Sequence, residues 1–209
     1  MIVKVCGVRT AEIAEVAVDA GADWVGIVFE PRSARYARDA EARTVRDVVG
    51  RRADLIGVFV EPSAQECDEA ASRYRLAGVQ VHGAVAPELA VRVSVPVIRG
   101  MNIGSLRDDV AFDWWTDCLV LLDAPAGALP GGTGTTVPLQ LAALVAEHRP
   151  TILAGGLRPE TVAEAVRVVR PRGVDASSGL ESAPGVKDAA LVEAYVRNAR
   201  AALDAMAVA

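Results

Sequence analysis

The sequence predicts an α/β fold, a single-domain (β/α)8 barrel of the TIM type over residues 1–209. Short Val-, Ile- and Leu-rich runs alternate with longer, Ala-rich amphipathic segments, a pattern typical of parallel strands covered by helices. The apolar runs number eight, the count that a closed barrel needs, and none shows a signal for antiparallel pairing. An open doubly wound sheet is the alternative fold.

Each element is predicted from its apolar periodicity and from signals at its ends. The predicted strands span residues 2–6, 24–29, 54–60, 78–82, 95–99, 117–123, 151–154 and 173–176. The predicted helices span residues 10–20, 38–51, 63–75, 86–92, 104–111, 138–148, 159–169 and 187–205. Thr10 is expected to cap a helix that Gly21 ends, Ser63 to begin another, and Pro159 to begin a third.

Composition limits the classes of partner. Apolar residues make up 52% of the chain and aromatic residues 4%, so the core is built from Ala, Val and Leu. With 22 basic and 27 acidic residues, a net charge of −5 and no basic run, we expect no nucleic-acid and no membrane partner. No apolar run is long enough to span a bilayer, and the first residues do not resemble a secretory signal.

The three cysteines indicate the compartment. Cys6, Cys67 and Cys118 are far apart and form no CxxC pair, so neither a zinc site nor a disulfide framework is predicted. Free thiols of this kind are typical of a reducing environment, and we therefore expect a cytoplasmic protein.

Two stretches near the end of the chain predict a phosphate site. The segments 152–157 and 175–181 are apolar runs that break into Gly155-Gly156 and Ser177-Ser178. Backbone N–H groups at a strand end, next to a helix N-terminus, form a cradle for an anion. In a (β/α)8 barrel a phosphate commonly binds after the last two strands.

Two strand ends carry groups suited to proton transfer. Cys6 ends the first strand and precedes a glycine; it is either a small buried apolar residue or a base whose pKa a nearby positive charge or N–H dipole must lower. Asp123 ends the sixth strand and is either a helix or loop cap or a proton donor with a raised pKa. These strands lie on opposite sides of a barrel, so a small substrate would fit between the two groups.

Other strand ends are open to two interpretations. Arg35 is either one of several solvated arginines or a fork that holds a carboxylate. His82 is either an acid–base group or a polar strand end that satisfies backbone groups. The glycine-rich segment 130–136 lacks the residues of a Walker loop and is either a flexible connection or a mobile lid.

Seven motifs, in order along the whole chain, resemble the phosphoribosylanthranilate isomerase family. They are Lys4-Val5-Cys6-Gly7-Val8, Ser33-x-Arg35-Tyr36, Val79-Gln80-Val81-His82-Gly83, Leu121-Leu122-Asp123-Ala124, Gly131-Gly132-Thr133-Gly134, Leu153-Ala154-Gly155-Gly156-Leu157 and Val174-Asp175-x-Ser177-Ser178-Gly179-x-Glu181-x-x-x-Gly185-x-Lys187-Asp188.

The resemblance implies a barrel enzyme of tryptophan biosynthesis that performs an Amadori rearrangement of N-(5′-phosphoribosyl)anthranilate, without cofactor or metal, as a monomer or homodimer. It implies that Cys6 is the general base and Asp123 the general acid. The substrate-binding residues that it implies are Arg35 for the anthranilate carboxylate, with Gln80, His82 and Asp175. The phosphate-binding residues that it implies are Gly132, Gly134, Gly155, Gly156, Ser177 and Ser178.

Two departures from the family pattern keep alternatives open. Val137-Pro138-Leu139 stands where family members usually carry Phe-Asp-Trp, so we expect a different lid hinge and helix start. Ala34 replaces the usual Pro between Ser33 and Arg35, so we expect a looser carboxylate clamp. The alternatives are a diverged isomerase that acts on another phosphorylated amino-sugar, and a non-catalytic paralogue that binds a phosphorylated ligand.

Overall fold

The computed structural model describes residues 1–102, 115, 118–123 and 137–208, and it confirms the closed parallel barrel. Eight strands follow one another around the barrel in chain order, and the first pairs with the eighth to close it. These strands are β1 (Ile2–Cys6), β2 (Trp24–Val28), β3 (Asp54–Val60), β4 (Gly78–His82), β5 (Val97–Asn102), β6 (Leu119–Asp123), β7 (Thr151–Ala154) and β8 (Gly173–Ala176).

Seven helices are described outside the barrel. They are α1 (Ala11–Asp19), α2 (Asp39–Val49), α3 (Ala64–Tyr74), α4 (Leu89–Arg92), α5 (Val137–His148), α6 (Val162–Val169) and α7 (Ala189–Val208). Thr10 caps α1 as predicted, because its hydroxyl accepts a hydrogen bond from the Ile13 N–H. Ser63 caps α3 in the same way and forms a capping box with Glu66.

The structure corrects two sequence predictions and leaves a third untested. The helix expected over 86–92 is only the single turn α4, because Pro87 and the residues around it form turns first. The helix expected to begin at Pro159 begins at Val162, after a turn in which Thr161 hydrogen-bonds to both backbone groups of Arg158. The helix predicted over 104–111 lies outside the described residues.

A short hairpin after β8 was not predicted. A 3-10 turn over Ser178–Leu180 leads into β9 (Glu181–Ala183), which pairs antiparallel with β10 (Val186–Lys187). Gly185 makes the reversal with a φ of 77°, a conformation that favours glycine. The hairpin places two charged side chains, Glu181 and Lys187, at the carboxyl end of the barrel.

Apolar packing falls into an outer and an inner layer. The outer layer lies between strands and helices and includes every second strand residue, such as Val3 and Val5 of β1. Inside the barrel a separate cluster forms from Ile56, Ile98, Leu121, Ile152 and Ala154. No helix among the described residues is long and apolar enough to cross a membrane.

Candidate active site

A buried ion pair joins the first and last strands inside the barrel. Lys4 Nζ donates a hydrogen bond of 2.8 Å to Asp175 Oδ2, and the two residues are Cα partners where β1 pairs with β8. The Lys4 side chain is fully buried and that of Asp175 is 6% exposed. Burial is the largest single effect and favours neutral Lys4, but Asp175 and Cys6 together outweigh it through charge and hydrogen bonding and raise the pKa of Lys4 above its usual range.

Cys6 lies two residues beyond Lys4 on the same face of β1. It is a buried free thiol that packs against Val28 and Val58. Burial raises the pKa of Cys6, and the positive charge of Lys4 offsets this only in part. A positive neighbour is therefore present, but desolvation is the larger effect, and the pKa of Cys6 lies above its usual range.

Asp123 ends β6 at the same carboxyl end of the barrel. Burial raises the pKa of Asp123, and the negative charge of Asp175 raises it further. This is the direction that a proton donor requires. Since Asp175 also acts on Cys6, one buried carboxylate lies within electrostatic range of both candidate proton-transfer groups.

Arg35 is held by a carboxylate that the sequence analysis did not single out. Its Nε and Nη2 donate hydrogen bonds of 2.7 and 2.8 Å to the two oxygens of Glu181. The loop before it is also ordered, because the Arg35 N–H donates to the Ser33 hydroxyl at 3.1 Å. The looser clamp expected from Ala34 stays a prediction.

Glu181 connects Arg35 to the end of β8 through further hydrogen bonds. Lys187 Nζ donates to Glu181 at 2.6 Å and lies 3.4 Å from the Ser177 hydroxyl. That hydroxyl donates to the backbone carbonyl of Cys6 at 3.1 Å. Although burial opposes ionisation, the hydrogen bonds from Arg35 and Lys187 lower the pKa of Glu181 to about 2.

The predicted phosphate residues fall into a described and an undescribed part. Gly155 and Gly156 follow β7 with φ angles of 92° and 67°, so consecutive residues adopt a backbone conformation that side chains disfavour. A Cβ on Gly156 would meet nothing within 4 Å, so the backbone conformation, not space, favours glycine there. Ser178 is exposed in the turn after β8. Gly132 and Gly134 lie outside the described residues.

Gln80 and His82 form a neutral pair on β4, across the barrel from β1. Gln80 Nε2 lies 2.7 Å from His82 Nε2. The ring of His82 packs against Gly100 on β5, and a Cβ added to Gly100 would come within 2.3 Å of that ring. Burial, together with the charges of Lys4 and Arg99, lowers the pKa of His82 to about 4. With Gln80 Nε2 as the donor, Nε2 of neutral His82 is the acceptor, and this assignment puts the His82 proton on Nδ1.

Apart from Tyr195 Oη on α7, two buried oxygens have no hydrogen-bond partner within the described ranges: Gln80 Oε1 and Asp175 Oδ1. Unpaired buried acceptors are costly and uncommon, so these atoms are suited to accept hydrogen bonds from a ligand. In the same part of the chain, no three His, Cys, Asp or Glu side chains are grouped as a metal site requires.

Sequence reasoning missed Lys4, Glu181 and Lys187 as functional residues. Each stood inside a motif, but none had been given a role. A signal was present for the first of them, since Lys4 and Asp175 are single charges inside otherwise apolar strands. Charges rarely occur there unless they are paired.

The chain is similar to one enzyme family along nearly all of its length. Residues 3–198 match the family described as N-(5′-phosphoribosyl)anthranilate (PRA) isomerase. The N-(5′-phosphoribosyl)anthranilate isomerase of Roseiflexus sp. (strain RS-1) is 43% identical over 210 residues, covering 96% of this chain and 98% of that protein.

Solved structures agree with this similarity. The crystal structure of phosphoribosyl anthranilate isomerase from Thermotoga maritima superposes with a TM-score of 0.82 at 32% identity, covering 96% of this chain and 100% of that one. A phosphoribosyl anthranilate isomerase in complex with reduced 1-(o-carboxyphenylamino)-1-deoxyribulose 5-phosphate superposes with a TM-score of 0.80 at 31% identity and the same coverage.

Proposed function

Because the chain belongs to the N-(5′-phosphoribosyl)anthranilate isomerase family, we propose that Cys6 and Asp123 carry out the proton transfers of this isomerisation in tryptophan biosynthesis. The observation that carries the assignment is their placement: both groups end barrel strands at the carboxyl face, on β1 and β6, with Asp175 in electrostatic range of each. General acid and base can then act on opposite sides of one small substrate.

Asp123 acts first in the proposed mechanism. Its protonated carboxyl donates a proton to the ribose ring oxygen, the C1′–O bond breaks, and the anilino nitrogen forms an iminium with C1′. The raised pKa of Asp123 supports this role, because it increases the protonated fraction near neutral pH.

Cys6 then removes the proton from C2′, which the iminium has made acidic. The electron pair of the C–H bond moves toward the nitrogen to give an enolamine, which tautomerises to the ketone product. Burial raises the pKa of Cys6, so fewer thiolates form, but each thiolate is a stronger base toward carbon.

The remaining groups hold the two ends and the middle of the substrate. We assign the anthranilate carboxylate to Arg35 and the phosphate to the backbone turns at Gly155-Gly156 and Ser177-Ser178. The unpaired oxygens of Gln80 and Asp175 are assigned to ribose hydroxyls, and Nδ1–H of His82 supplies a donor. Fixing both ends restricts the sugar to orientations that place C2′ near the base.

The biological setting follows from the same reaction. We propose a cytoplasmic enzyme whose partner is a small phosphorylated substrate. A monomer and a homodimer both stay compatible with this proposal.

Complementation tests the assignment of Cys6 and Asp123. A bacterial tryptophan auxotroph that lacks this isomerase should grow with the wild-type chain and fail to grow with Cys6→Ser or Asp123→Asn. In the purified variants we expect kcat to fall by about 10²–10⁴-fold, the usual contribution of one acid–base group. The assay is substrate consumption without added metal or cofactor.

Matched variants separate chemistry from folding. Cys67→Ser removes a thiol from α3, outside the barrel, and Asp54→Asn removes an exposed carboxylate from the opposite end of a strand. Both should support growth. A folded wild-type protein that fails to complement would instead favour an isomerase for another phosphorylated amino-sugar.

A further inference from the structure

Arg35 can bind a second carboxylate while it stays paired with Glu181. Its guanidinium carries five N–H donors in one plane, and Glu181 takes the side-on edge formed by Nε and Nη2. The end-on edge, formed by Nη1 and the second N–H of Nη2, can therefore make another two-point contact. The Arg35 side chain is 28% exposed and that of Glu181 is 5% exposed, so a ligand can reach only Arg35.

The charges of this cluster also favour an anion. Arg35 and Glu181 alone would be neutral as a pair and would attract a carboxylate weakly. Lys187 donates to the same carboxylate with a side chain that is 3% exposed, so the three residues together carry one positive charge. Glu181 thus fixes the direction of Arg35, while Lys187 keeps the cluster cationic.

Backbone packing fixes the hairpin that carries Glu181 against the loop that carries Arg35. A Cβ on Gly185 would come within 2.2 Å of the Ala34 carbonyl oxygen, and the Gly185 N–H donates to Glu181 at 3.2 Å. Gly7, next to Cys6, would likewise bring a Cβ within 2.9 Å of Arg35 Cδ. The stem and the head of Arg35 are therefore both held.

We propose that Glu181 is a positioning residue that sets specificity for a carboxylated substrate, by holding the side-on edge of Arg35 so that its end-on edge receives the anthranilate carboxylate. This inference rests on the proposed function, in which Arg35 binds that carboxylate. It adds that the selection depends on a residue that does not touch the substrate.

The test compares two substrates that differ only in the carboxylate: N-(5′-phosphoribosyl)anthranilate and N-(5′-phosphoribosyl)aniline. For Glu181→Gln we expect kcat/KM to fall about tenfold or more with the first substrate, mainly through KM, and less than about twofold with the second. A purely structural role would lower both values together.

Two further variants separate position from charge and from surface effects. Glu181→Asp keeps the negative charge but has a shorter side chain that cannot reach both Arg35 nitrogens, so it should also lose discrimination between the substrates. Glu164→Gln is the matched control, because Glu164 pairs with Nε and Nη2 of Arg167 in the same side-on way on the exposed face of α6. Glu164→Gln should leave kcat/KM unchanged with both substrates.

The outcomes separate two proposals: that Arg35 binds the substrate carboxylate, and that Glu181 positions Arg35 for this contact. If the wild-type enzyme prefers the carboxylated substrate and Glu181→Asp keeps that preference, the positioning role of Glu181 is wrong while that of Arg35 stands. If the wild-type enzyme has the same kcat/KM for both substrates, and Arg35→Lys also shows no difference between them, the assignment of Arg35 itself is wrong. If Glu181→Gln does not fold, the Glu181→Asp result decides the question by itself.

Discussion

The barrel interior holds two polar pairs, one of them charged and the other neutral. On the β1–β8 side, Lys4 and Asp175 form an ion pair with an N–O distance of 2.8 Å. On the β4–β5 side, Gln80 and His82 form a neutral pair at a similar distance. The Lys4–Asp175 pair is the more deeply buried of the two and is nevertheless the charged one, so burial alone does not decide which pair is charged.

The difference follows from whether a counter-ion is available. Lys4 faces Asp175 and stays protonated, whereas His82 faces Lys4 and Arg99, which both oppose a further positive charge. The charged side lies beside Cys6, whose ionisation responds to nearby charge. The neutral side can bind a substrate without changing its protonation state near neutral pH. The barrel thus separates proton transfer from fixed hydrogen bonding.

Breaking the charged pair should have the largest effect. Lys4→Met leaves the carboxylate of Asp175 buried without a partner, and we expect the free energy of unfolding to fall by about 3–5 kcal/mol. Urea denaturation at pH 7 measures this change. Lys4→Met combined with Asp175→Asn removes both charges and should recover most of the loss.

The control for this prediction is an exposed ion pair. Arg167→Met removes the partner of Glu164 on α6, where solvent screens the interaction and we expect a much smaller loss than for Lys4→Met. Equal losses for Lys4→Met and Arg167→Met would mean that the interior pair is solvated, and the contrast between the two sides of the barrel would then disappear.

Lowering the pH should have the second largest effect on the free energy of unfolding, and it acts on the Gln80–His82 pair. The pKa of His82 is about 4 in the folded protein, against about 6.5 for an unperturbed histidine, so the unfolded chain binds a proton first as the pH falls. His82 therefore stabilises the fold above pH 6.5, and this stability is lost between pH 6.5 and 4. The full loss is about 3 kcal/mol.

Comparison with a non-titrating variant isolates this effect. The free energy of unfolding of wild-type protein and of His82→Asn should be measured from pH 7.5 to pH 4. We expect the difference between the two proteins to shrink as the pH falls. A difference that stays constant would show that His82 is not held neutral by the fold.

Adding one methyl group on the neutral side should have the smallest effect. Gly100→Ala places a Cβ against the His82 ring, and we expect a loss of about 1–3 kcal/mol from overpacking. Thermal and urea unfolding report this loss. In a His82→Ala background the same substitution should cost much less, and an unchanged cost would place the strain elsewhere.

The sequence predicted the barrel and most strands because apolar runs mark strands whatever their partners are. It also predicted the ends of β1 and β6, since Cys6 and Asp123 each follow such a run directly. Helix starts were less certain, and Pro159 was misleading because proline is equally suited to the turn that precedes α6.

Contacts between distant residues could not be predicted in the same way. The pairing of Lys4 with Asp175 depends on the register between β1 and β8, and the contact of His82 with Gly100 depends on how β4 lies against β5. The hairpin that carries Glu181 contains a Pro, a Gly and only five strand residues, which gives no periodic signal.

The register that closes the barrel also bears on how the chain is made in the cell. Lys4 and its counter-ion are 171 residues apart, so the amino-terminal strand emerges from the ribosome long before its partner exists. Until β8 docks, the ammonium group favours water, which keeps β1 and Cys6 from being enclosed prematurely. The candidate base therefore has its complete surroundings only once the strand that carries Asp175 has been made, and a truncated product would lack them.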